Sequence, residues 1–77
     1  MIARKAVTDG GRYEDILNAA GESFFEKGFD GTTVRGIMRT VGAEIGLFYY
    51  YFDSKDDVFD KVLDRFLPDM KEILPPL

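Results

Sequence analysis

Apolar residues recur along this chain with the spacing of a helix. Tyr13, Ile16, Leu17, Ala20 and Phe24 follow an i, i+3, i+4, i+7 rule, which places them on one buried helical face. Gly28 then supplies a residue suited to the left-handed conformation that ends many helices. A first helix is therefore predicted over about residues 12–27, with Phe25 and Phe29 folding back onto the same core. Thr33 is a good N-cap for a short second helix carrying Val34, Ile37, Met38 and Val41 and stopping at Gly42. Its third helical position is Gly36, so the glutamate that would complete a capping box is missing. Glu44 is a weaker N-cap for a third helix over residues 45–51, and Ala43 and Phe48 occupy the positions of a hydrophobic staple around its start. Ser54, with an acid three residues on at Asp57, predicts a fourth helix over residues 55–67 whose stripe is Val58, Phe59, Val62, Leu63, Phe66 and Leu67. Pro68 ends or kinks it, DMKEIL can form one more turn, and Ile73, Leu74 and Leu77 are left with little to pack against.

No β-alternation, internal repeat or low-complexity tract interrupts this pattern. The reading is an all-α fold: a small helical bundle of four helices in which the second and third form a homeodomain-like helix-turn-helix. Residues 1–12 end in Gly10-Gly11 and lack periodicity, so they read as a flexible basic arm. Residues 13–67 make the helix-turn-helix domain. Residues 68–77 read as the start of a linker or of a C-terminal domain that 77 residues leave no room for.

The third helix holds five aromatic residues in a row, Phe48 to Phe52. Successive helical residues diverge by about 100°, so such a run cannot face one core. With Phe48 as origin, Phe52 falls at about 40°, Tyr49 at about 100°, Tyr50 at about 200° and Tyr51 at about 300°. Phe48 and Phe52 are thus expected inside, Tyr49 at the border, Tyr50 outside and Tyr51 on the other flank. The residue types agree, because phenols need a hydrogen-bond partner and phenylalanines do not.

Composition narrows the chemistry. A chain of 77 residues buries only roughly 60% of the surface its unfolded form exposes, so its core is thin. Without cysteine or histidine, disulfides, thiolate nucleophiles, Cys/His zinc sites and the usual general base near neutral pH are unavailable. Asp56 and Asp57 are adjacent, diverge on a helix, and suit a helix start for dipole reasons. The reading is a protein that is not an enzyme, with no cofactor. No apolar run is long enough to span a membrane and the start lacks a signal-peptide core, so a cytoplasmic location is expected. The net charge of −4 looks wrong for a nucleic-acid binder until it is resolved along the chain. Residues 1–12 hold Arg4, Lys5 and Arg12 against Asp9, and residues 35–55 hold Arg35, Arg39 and Lys55 against Glu44 and Asp53. The remaining acids lie in the other two segments. Positive charge is concentrated in the arm and around the aromatic helix, a weak but real polarity. Arg39, Lys61, Arg65 and Lys71 read as solvated surface charges.

The stretches ILNAAGESFFEKGFDGTTVRGIMRTVGAEIG and LFYYYFDSKDDVF carry a specific resemblance. From Ile16 to Val58 the sequence resembles the N-terminal DNA-binding domain of the tetracycline-repressor-like (TetR/AcrR) transcriptional regulators. The resemblance implies sequence-specific binding of double-stranded DNA at a pseudo-palindromic operator by a ligand-responsive repressor. It assigns Thr33 to a phosphate and Arg35 to a base edge, where arginine can meet guanine O6 and N7 bidentately. It sets the third helix in the major groove with Glu44, Ile45, Gly46 and Leu47 foremost, Tyr49 and Tyr50 on the DNA backbone, and Lys55 on a phosphate beside the fourth helix. It also implies a second helical domain, absent from these residues, that makes a homodimer and binds a small-molecule effector.

Departures from the family pattern cluster on the third helix. Family members often have serine at Glu44, a polar residue at Ile45, threonine or serine at Leu47 and histidine at Tyr51. Glu44 can accept from cytosine N4, and Ile45 or Leu47 can touch a thymine methyl, so the change fits either a distinct operator or weakened binding. Gly36 and Gly46 suit close helix approach, and Gly46 equally suits close approach to the groove. A helical protein-interaction module that keeps the fold without binding DNA is the alternative reading.

Overall fold

A computed structural model describes residues 7–67, with side chains from residue 11. It contains four helices in the order α1 (Val7–Gly31), α2 (Val34–Val41), α3 (Ile45–Tyr51) and α4 (Lys55–Phe66). The three short helices start where their caps predict. Thr33 Oγ1 accepts from the Gly36 amide at 2.9 Å, and Ser54 Oγ accepts from the Asp57 amide at 3.2 Å. Asp57 completes a capping-box variant displaced by one residue, since its carboxylate accepts from the amide of Asp53 at 2.9 Å and not from that of Ser54. Among the described residues no helix is long and apolar enough to cross a membrane.

Helix α1 departs from expectation at its start. It is helical from Val7, running through Gly10-Gly11, where glycine lowers helix propensity by about 1 kcal/mol each without forbidding the helical region. The expected arm thus contributes residues 7–12 to α1, while Arg4, Lys5 and the tail 68–77, Lys71 included, lie outside the described residues. The other end breaks as expected at Gly28, whose φ of 78° and ψ of 173° leave the helical region.

The core is built from Ile16, Leu17, Ala19, Ala20 and Phe24 of α1, Ile37 and Met38 of α2, Phe48 and Phe52 at α3, and Val58 and Val62 of α4. Helix α1 packs against both α4 and α2, and α2 against α3. After the break at Gly28, the Phe29 ring stacks on Phe24 with centroids 5.8 Å apart, and Phe59 meets both rings edge-on. These three rings close the end of α1 onto α4. Phe25 does not join them: it is 92% exposed, because one position beyond Phe24 it points some 100° away. It borders a groove between α1 and α4 that Gly21, Val62, Phe66 and Leu67 also line.

Two cations expected to be solvated are paired instead. Arg65 of α4 makes a two-pronged contact with Glu14 of α1, with Nη1 on Oε1 and Nη2 on Oε2. Lys61 Nζ lies 2.9 Å from Asp57 Oδ1, one helical turn away. The hydrogen bond from Arg65 holds the Glu14 carboxyl below its ordinary value of 4.5. Hydrogen bonds from Lys61 and then from the Asp53 amide hold Asp57 below 3.8. Both groups bind a proton less readily folded than unfolded, so their stabilisation is complete above the ordinary carboxylate values and is lost as pH falls through the lowered ones. Accordingly, Glu14→Gln should lower the thermal midpoint at neutral pH, modestly because the pair is half exposed. In a melting series carried into acid, that gap from wild type should close.

Candidate nucleic-acid interface

The turn between α2 and α3 is set by one residue. Gly42 has φ 85° and ψ 32°, a left-handed conformation that costs a residue bearing Cβ roughly 1–2 kcal/mol. There the amides of Gly42 and Ala43 both donate to the Met38 carbonyl, at 2.8 and 3.2 Å. Ala43 packs partly against the core, as the staple requires. Glu44 has the extended backbone of an N-cap, but its carboxylate makes no capping bond and is exposed.

Helix α3 is held from its inner side and open on the outer. Phe48 and Phe52 are buried, whereas Tyr49 is 54% and Tyr50 74% exposed, the division that the helical angles predict. Tyr51 is intermediate and sits edge-on to Tyr13 of α1, whose ring also stacks on Phe52 at 5.2 Å. Tyr13 thereby fixes the C-terminal end of α3 to α1.

Of the residues expected at DNA, Thr33, Arg35, Glu44, Ile45, Gly46, Tyr49 and Tyr50 are exposed. Arg35 and Ile45 line one shallow groove between α2 and α3, together with Met38, Ala43 and Arg39. Leu47 is half-buried and packed partly against the core, which leaves only part of its side chain for a partner. A Cβ built on Gly46 meets nothing within 4 Å, so close helix packing is not why glycine stands there. At Gly36 the nearest atom to such a Cβ is Thr33 Oγ1, at 3.0 Å. The crowding there involves the cap of α2, not another helix.

Lys55 is placed differently from the rest. Its ammonium donates to the carbonyls of Phe29 at 2.7 Å and Thr32 at 2.9 Å and lies 4.2 Å from the centre of the Phe29 ring. A lysine ammonium has three protons, and two of them go to these carbonyls.

Two residues emerge that the sequence reading did not single out for the site. Arg39 faces the same groove as Arg35, and its spacing of four on a short helix was the available signal. Thr32 is wholly buried. Its hydroxyl donates to the Gly28 carbonyl at 2.9 Å and accepts from Ser23 Oγ at 2.8 Å. No local pattern marks it, since its partners come from α1 and α4. Among the described residues no group of three acidic side chains converges to hold a metal ion.

A glycine-turned helix pair with a short, half-open second helix and an arginine-lined groove defines a helix-turn-helix protein. Comparison with known proteins gives the family. The model for bacterial regulatory proteins of the tetR family matches residues 16–62, and the chain belongs to that family, with the matched span forming its N-terminal DNA-binding domain. It is 40% identical over 60 residues to the HTH-type transcriptional repressor KstR2 of Rhodococcus jostii (strain RHA1), covering 78% of this chain and 29% of that protein. It is 39% identical over 57 residues to the HTH-type transcriptional regulator YvdT of Bacillus subtilis (strain 168), covering 74% and 29%. A third relative, the biofilm operon icaADBC HTH-type negative transcriptional regulator IcaR of Staphylococcus epidermidis, is 33% identical over 52 residues, covering 68% and 28%. The chain therefore spans less than a third of the length of these relatives. No solved structure matches it.

The two glycines of this site should respond in opposite directions. Gly42→Ala should lower unfolding stability by about 1–2 kcal/mol, the cost of a left-handed alanine. Gly46→Ala should raise it by roughly 0.5–1 kcal/mol, because an open helical position gains propensity. Urea denaturation of the two variants beside wild type measures both.

Proposed function

We propose that this domain reads a pseudo-palindromic operator in double-stranded DNA and serves a transcriptional repressor. The observation that carries the reading is the groove between α2 and α3. Arg35 and Arg39 flank it without an acidic partner among the described residues, whereas Lys61 and Arg65 are each matched to a carboxylate. A chain with net charge −4 thus leaves two guanidinium groups unmatched beside the groove between α2 and α3. Arginine suits that place, because its planar fork matches phosphate and guanine edges.

In this reading Arg35 contacts a base edge and Thr33 a phosphate. Glu44, Ile45, Gly46 and the exposed part of Leu47 face the major groove. Tyr49 and Tyr50 offer hydroxyls to the DNA backbone, contacts that position the helix without reading sequence. The names of KstR2 and IcaR, a repressor and a negative regulator, support repression. We assign homodimer formation and the binding of a small-molecule effector to a further domain, in keeping with relatives more than three times as long as the span this chain matches. A cytoplasmic setting follows from the same reading.

Selection of duplexes from a randomised pool, followed by a salt series, tests it. Log K should fall linearly with log salt, at about −0.9 per phosphate contacted. Arg35→Ala should relax preference at one base pair, a loss of roughly 1–3 kcal/mol of discrimination, while Tyr50→Phe should weaken all duplexes alike and leave stability nearly unchanged. Failure to bind any duplex at low salt would sink the proposal.

A further inference from the structure

Lys55 stands at the first position of α4, a poor place for a cation, because the positive end of the helix dipole lies there. Asp56 and Asp57 in the same turn offset that cost but do not explain the choice of lysine. The explanation lies across the molecule, in the turn that joins α1 to α2. The Phe29 carbonyl already accepts from the Thr32 amide at 3.2 Å, and it takes a second bond from Lys55. The Thr32 carbonyl takes another, its hydroxyl is bonded on both sides, and its side chain is completely buried. Every polar group of Thr32 is thus satisfied, and one ammonium ties this turn to α4.

The next residue along the chain is Thr33, the N-cap of α2, and Arg35 follows two positions later. The direction in which α2 leaves the turn, and with it the point that Arg35 reaches, depends on where Thr32 is held. Lys55 also sits 26 residues from Phe29 in sequence, so this bond fixes α2 relative to α4 and not merely relative to α1.

We propose that Lys55 is a positioning residue for base reading by Arg35. The inference rests on the DNA-binding reading above. Without the ammonium the turn that aims Arg35 loses both of its hydrogen bonds to α4. Arginine is no substitute: a flat, forked guanidinium cannot converge on two carbonyls and a ring face as a compact ammonium does.

The test uses the 77-residue chain and a duplex selected by the wild type, with folded fraction measured by circular dichroism and affinities referred to folded protein. Lys55→Met removes the charge and the donor together, and preference at the base pair identified by Arg35→Ala should fall about fivefold or more. Lys55→Arg keeps the charge and should show the same relaxed preference, so a Lys55→Met variant too unstable to bind still leaves a decisive measurement. In the Arg35→Ala background, neither Lys55 substitution should alter base preference further. Wild-type preference in Lys55→Met or in Lys55→Arg overturns this inference while leaving the DNA-binding reading intact. Absence of duplex binding by the wild type overturns that reading, and this inference with it.

Discussion

A single ammonium ties the two halves of this domain together. Helices α2 and α3 are short, and α3 has no side-chain cap at its start, so neither is expected to hold its direction alone. Their orientation relative to α4 is inherited from the turn at Phe29–Thr32, where Lys55 adds a second hydrogen bond to the Phe29 carbonyl and supplies the donor for that of Thr32. Breaking α1 at Gly28 exposes those carbonyls, and the lysine at the start of α4 meets them. The glycine and the lysine solve one problem between them, since a helix that must end abruptly needs both a residue able to turn and a donor for the groups the turn uncovers.

Aromatic packing supplies the second level of support. Phe24, Phe29 and Phe59 enclose the broken end of α1, and Phe29 offers its other role as a face for the Lys55 ammonium. At the opposite end, Tyr13 stacks on Phe52 and meets Tyr51. Because a core this small has few aliphatic layers, directional ring contacts at both ends of α1 fix what bulk burial would leave loose. The bridge from Arg65 to Glu14 adds a polar tie along the same helix pair, weaker because water reaches it.

Much of this architecture was legible in the sequence because its signals are local. Thr33, Gly42 and Ser54 act on amides or carbonyls three to five residues away, so the limits of α2 and the starts of α3 and α4 could be read directly. The five aromatic rings divided correctly because helical angle is also a local quantity. What escaped was long-range. Arg65 and Glu14 are 51 residues apart, Lys55 and Thr32 are 23 apart, and no spacing rule joins them. The start of α1 escaped for another reason: a glycine pair weakens a helix by an amount that the rest of a long helix absorbs. Phe25 was expected inward from its place near the end of α1, although the angle from Phe24 already pointed it away. Motif position pointed to Arg35 and Ile45 as candidates, but Arg39 joined them only once α2 and α3 were seen to share a groove.

The split personality of α3 has an evolutionary consequence. Of its seven residues, Phe48 is committed wholly to the core and Leu47 and Tyr51 partly so, leaving Ile45, Gly46, Tyr49 and Tyr50 as positions that can change without disturbing the bundle. Divergence among duplicated copies of such a domain is therefore channelled into a very small alphabet of sites. A lineage can wander through new binding preferences at those positions while its folding remains under the guard of the others. Ile45 lies in that freely varying set and the exposed Glu44 adjoins it, so their departure from the family pattern is what drift or selection at unconstrained sites would leave behind, whereas Leu47 departs at a position the core half holds.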